Sequence, residues 1–120
     1  MNIITKGKAL GLLERSIKEE NIVSYETESL WKTWARIAKV RTEGIFGLGS
    51  RQAEELDSLV HNLFRADQIY QRKSYGKSIL ALLTSSYIEI QEFWSDEGVE
   101  EVVEPISEVT KDEKVGVGPT

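Results

Sequence analysis

A chain of 120 residues, 40% of them apolar, is enough for one domain with one modest core. It has no cysteine, which excludes disulfides, thiolate metal sites and cysteine nucleophiles. The net charge of −5 is uneven: residues 95–120 hold eight acids and two lysines (−6), leaving twelve acids and thirteen bases (+1) on residues 1–94. A near-neutral body with an acidic tail is a poor autonomous DNA binder.

The N-terminal stretch MNIITKGKALGLLERSIKEEN is charged within seven residues and lacks the continuous apolar run of a signal peptide. Leu10, Leu13 and Ile17 fall at i, i+3 and i+7, so a first helix is expected near 6–19, with Thr5 as its N-cap. A second is expected near 26–42, where Leu30, Trp31, Trp34, Ile37, Ala38 and Arg41 form a stripe of helical period. Gly44, Gly47 and Gly49 mark its end. Ser50 is placed to cap a third helix near 51–73, whose broad apolar face runs from Ala53 through Leu56, Leu59, Val60, Leu63, Phe64, Ala66 and Ile69 to Tyr70. A fourth, near 75–94, carries Tyr75, Ile79, Leu82, Leu83, Tyr87, Ile90 and Trp94 at spacings of three and four. Gly76 lies at the expected joint, where a glycine weakens a helix by about 1 kcal/mol relative to alanine. The β-branched run TSSYIEI gives a strand a minor claim on this region. From Ser95 onward, Gly98, Pro105 and the acids predict a solvated tail or linker, although Val99, Val102, Val103, Ile106 and Val109 recur along it. The expected fold is all-α: a small four-helix bundle over 1–94 with an acidic, mostly irregular tail over 95–120.

Gly76-Lys77-Ser78 has the last three residues of a phosphate-binding loop in order. That loop also needs a glycine five residues earlier, where Gln71 stands, and a buried strand before it, where FRADQIYQRK reads as an amphipathic helix. Without them the backbone N–H groups cannot wrap a phosphate. The single histidine, His61, has Asp57 at i−4 and Arg65 at i+4, which predicts a solvated edge with a salt-linked neighbour. The paired glutamates are adjacent in sequence and do not face each other across a cleft. These readings predict no catalytic residue, no metal, no cofactor and no small-molecule substrate. No apolar run approaches the ~20 residues of a membrane span, so a cytoplasmic protein is expected.

What remains is surface. Trp31 and Trp34 lie three apart on one helical face. Such a pair more often fills a core, and otherwise anchors an interface. Arg65, Arg72, Lys73 and Lys77 gather around the expected joint; a plain solvated face is the default reading, and a basic patch for an acidic or phosphate-bearing partner is the sharper one. Apolar residues occur on more than one side of the third and fourth helices, with Leu80, Ile88 and Phe93 outside the main stripe of the fourth. A partner surface is therefore expected there. Trp31, Trp34, Leu63, Phe64, Tyr70, Phe93 and Trp94 are its candidate interface residues.

The order of features resembles the helical domain of subunits of the archaeal and eukaryotic GINS replication complex. KALGLLERSIKEE is similar to that family's first helix and NIVSYETESLWKTWARIAKVR to its second. EELDSLVHNLFRADQIYQRKSYGKSILALL is similar to its long helix with an aromatic and basic end, roughly I-Y-x-x-R-x-x-K-I. On this resemblance Ile69 and Tyr70 match the aromatic pair. Arg72 or Lys73, with Lys77 and Ile79, match the basic segment, and EGVEEVVEPISEV matches an acidic linker. Gly76 adds a residue inside the basic segment, and the chain ends about where the family's small β-domain would begin. The resemblance implies a non-catalytic scaffold that binds sister subunits and bridges a replicative helicase to other replication factors, with a nucleoid-associated location. A small helical protein of a virus or defence system fits the composition equally. It would act as an enzyme or CRISPR inhibitor, or as a small subunit of a nucleoprotein complex. Nucleic-acid contact is expected to be weak or indirect on either reading.

Overall fold

A computed structural model describes residues 4–95. The expectations for the acidic tail lie outside the described residues. Among the described residues there are four α-helices and no strand: α1 (Lys6–Glu19), α2 (Glu28–Phe46), α3 (Arg51–Arg65) and α4 (Ile69–Phe93), with a 3-10 turn at Glu20–Ile22 after α1. The helices pack in a ring, α1 on α2, α2 on α3 and α3 on α4, closed by the contact of α4 with α1, which is more extensive than that of α1 with α2.

The helix starts follow local chemistry. The Thr5 hydroxyl accepts from the Lys8 N–H at 3.2 Å, and the Ser50 hydroxyl accepts from the Ala53 N–H at 3.1 Å. Each satisfies one of the N–H groups that a helix start leaves without a partner. Gly47 ends α2 with φ of 98°, a conformation that favours glycine. The Ser50 hydroxyl also donates to the Gly47 carbonyl at 2.7 Å, which ties the turn before α3.

Three boundaries differ from expectation. α2 continues through Gly44 to Phe46 because Ile45 is buried and Phe46 packs edge-on against Trp94, ring centroids 6.0 Å apart. Tertiary burial there outweighs the weak helix propensity of glycine. α3 ends at Arg65, not near 73, and the joint is Ala66-Asp67-Gln68. The Ala66 carbonyl accepts from Arg72 Nε at 3.3 Å, and the Gln71 side chain accepts from the Gln68 N–H at 3.3 Å as the next helix begins. Gly76 is accordingly not the joint. It lies buried inside α4, and the TSSYIEI run is helical too.

The core is filled from all four helices. Leu13, Leu56, Leu63, Ile79, Leu83 and Ile90 are fully buried, with Trp31 and Trp34 beside them. Truncating one such leucine to alanine costs about 2–5 kcal/mol through lost transfer energy and the cavity left behind. Polar bonds also join α1 to α2. Trp34 Nε1 donates to the Ser16 carbonyl at 2.9 Å. Arg41 donates to the Ser16 hydroxyl at 2.8 Å and to Glu19 at 3.1 Å.

Candidate interaction surfaces

The α3–α4 joint holds a cluster of cations over aromatic rings. Trp31 and Phe64 meet edge to face, centroids 5.8 Å apart and planes at 79°. Arg72 lies over the Trp31 ring at 5.3 Å from its centroid, Arg36 over Phe64 at 5.3 Å, and Lys32 over both at 5.7 and 5.5 Å. These distances suit attraction between a cation and a ring face. Arg72 also donates from Nε to the Ala66 carbonyl and from Nη1 to the Tyr25 carbonyl, both at 3.3 Å. Its guanidinium thus clamps the α1–α2 connection and the α3–α4 joint onto Trp31. Trp31 Nε1 is buried without a hydrogen-bond partner among the described residues, an imbalance also seen at Thr42 Oγ1. Lys32 is ion-paired with Glu28, and this holds the Glu28 carboxyl below the usual range.

The expected basic patch therefore divides. Arg72 is a structural clamp. Arg65 is exposed at the end of α3, where a cation suits the helix dipole. Lys73 and Lys77 are exposed one helical turn apart on α4, without an ion pair among the described residues. Gly76-Lys77-Ser78 lies in the interior of α4, so its N–H groups belong to the helix ladder. His61 is exposed, and its expected partner Asp57 pairs instead with Lys39 at 2.8 Å. Among the described residues no group of three His, Asp or Glu side chains is placed to hold a metal ion.

The candidate interface residues divide in the same way. Trp31, Trp34 and Leu63 are buried in the chain's own core, which corrects the expectation that they form a contact surface. They cannot meet a partner without opening the bundle. Phe64 is half-buried under Lys32 and Arg36, and Trp94 is half-buried against Phe46. Tyr70 and Phe93 are exposed, at 68% and 82%. The apolar lines of α3 that were expected to face a partner are mostly taken up inside: Leu56, Val60 and Leu63 are buried, and Leu59, Phe64 and Ile69 pack on the core. Of the residues outside the main stripe of α4, Ile88 and Phe93 are exposed and Leu80 is half-buried.

The surface that sequence reasoning missed is the outer face of α2. The core side of α2 is centred on Trp31, Trp34, Ala35, Ala38, Thr42 and Ile45. Leu30 and Ile37, expected in that core stripe, fall on its flank at 47% and 38% exposure, and Val40 is 65% exposed. Leu30, Thr33, Ile37, Val40 and Gly44 follow one another at alternating spacings of three and four, the spacing of a helix–helix seam. The spacing is visible in the sequence, but only the positions of α1 and α3 separate this face from the core side that holds the tryptophans. Among the described residues no helix is long and apolar enough to cross a membrane. No protein-family model, curated protein or solved structure matches the chain.

Proposed function

We propose that this chain is a non-catalytic helical assembly subunit that presents the outer face of α2 to other protein. The observation that carries the reading is the run of exposed Leu30, Ile37 and Val40 at seam spacing on a helix whose opposite side is fully engaged in the core. Contiguous exposed apolar side chains on a soluble domain mark contact sites. Of the cations near the α3–α4 joint Arg72 is spent inside the fold while Arg65, Lys73 and Lys77 stay exposed; the apolar character of the α2 face is what favours protein over nucleic acid as the thing bound there.

The GINS resemblance supplies one partner set, sister subunits and the replicative helicase. The helical-inhibitor reading supplies the other, an effector enzyme or nucleoprotein complex. Native copurification with mass spectrometry from the source cells, comparing the wild-type chain with Val40→Asp, tests the proposal. Stoichiometric protein partners that Val40→Asp loses are the expected result, and their identity chooses between the two sets. Identical recovery with both chains refutes the assignment of the surface to α2.

A further inference from the structure

Resting on that reading of α2, we infer that a second copy of this chain covers the face, with the two α2 helices packed antiparallel about a two-fold axis. In that register Ile37 meets the partner's Val40 and Val40 meets the partner's Ile37. Thr33 meets the partner's Gly44, and Leu30 meets the partner's Gly47. A two-fold contact requires one patch to complement itself, and this patch does. Its bulky pair sits at the centre. Small residues flank it, where two backbones come close.

Charge selects the direction. On the flank of the seam that faces α3, Arg36 and Glu43 lie seven residues apart. The antiparallel register sets Arg36 of each protomer beside the partner's Glu43, giving two opposite-charge contacts. A parallel pairing offers Arg36 no acid: its counterpart there is the partner's Arg41, a residue already tied to Ser16 and Glu19 of its own chain. Neither Arg36 nor Glu43 is heavily committed within the chain. Arg36 caps the Phe64 ring, and Glu43 makes only a long contact with Lys39 at 3.9 Å. Gly44 lies inside α2, and a Cβ there would meet nothing within 4 Å in the chain. The same is true of Gly7 and Gly11 in α1, so the open space at Gly44 is compatible with a closely approaching second helix without requiring one.

The seam is one helix of 19 residues per protomer, about 28 Å long. A seam of one helix per protomer is small beside the ~1,600 Å² of a standard interface, so a weak dimer is expected. Sedimentation equilibrium of the full chain from about 5 to about 500 µM spans the range in which such weak pairs assemble. The wild type is expected to pass from monomer to dimer. Arg36→Glu or Glu43→Arg alone weakens assembly about tenfold, and the double exchange restores it, because the opposite charges again face each other. Val40→Asp remains monomeric with unchanged helical circular dichroism. A wild type that stays monomeric throughout overturns the inference, as does a double exchange no tighter than either single one. If the wild type is monomeric but Val40→Asp still loses copurifying proteins, the homodimer falls and the α2 surface stands. If Val40→Asp changes neither readout, both fall.

Discussion

Gly76→Ala tests why a glycine interrupts the middle of a long helix. In an isolated helix the change would stabilise by about 1 kcal/mol. Here the Tyr25 ring lies directly on the α4 backbone at Gly76. A Cβ added there would overlap Tyr25 Oη and Cζ and would stand 2.8 Å from Cε1. Tyr25 is buried and held at both ends: its hydroxyl donates to Glu20 at 3.1 Å, and its carbonyl accepts from Arg72 at 3.3 Å. Forcing extra volume into such a site costs about 1–3 kcal/mol. Set against the propensity gain, the net loss is up to about 2 kcal/mol. Tyr25→Leu removes the atoms that clash while keeping an apolar side chain. In that background Gly76→Ala should change sign and stabilise by about 1 kcal/mol. Urea unfolding followed by fluorescence of the buried Trp31 and Trp34 measures all four proteins. The coupling energy between the two sites should be about 1–3 kcal/mol. A Gly76→Ala effect of the same sign and size in both backgrounds would refute the claim that Tyr25 is the reason for the glycine.

Arg72→Met should lower stability by about 1–3 kcal/mol, since it leaves the Ala66 and Tyr25 carbonyls without their donor, whereas Lys73→Glu and Lys77→Glu should stay within about 0.5 kcal/mol; urea midpoints distinguish them. Burial pushes the Tyr25 hydroxyl above the usual tyrosine range, and Glu20 beside it adds to the shift. The folded chain then keeps a proton that the unfolded chain releases above pH of about 10, so this contribution is complete below that pH and is lost as pH rises beyond it. Tyr25→Phe should flatten that alkaline fall in a pH series of urea midpoints. Titration calorimetry with ATP and Mg²⁺ should show no saturable heat, because residues 76–78 are helix interior; micromolar binding abolished by Lys77→Ala would contradict this.

Helix existence was legible from residues alone. Leu13, Leu56, Leu63, Ile79 and Leu83 recur at spacings that only a helix turns to one side, and Thr5 and Ser50 carry the oxygen that a helix start needs. The failure of the phosphate-loop signature at Gln71 was legible too, since it depends on a missing residue type at a fixed spacing. The joints were not. Gly76 and Gly44 look like breaks because local propensity counts only the glycine, while Tyr25 at one and the burial of Ile45 and Phe46 near the other come from contacts made by other elements. The true joint at 66–68 contains no glycine or proline and depends on Arg72 reaching back to the Ala66 carbonyl. The division of α2 into an inner and an outer apolar face was likewise beyond the sequence. Leu30 and Ile37 lie beside the tryptophans on the helix, and only the positions of α1 and α3 decide where the core ends. Periodicity reports which residues share a side of one helix; which of those sides is covered is a property of the neighbours, and it exists only once the bundle has closed.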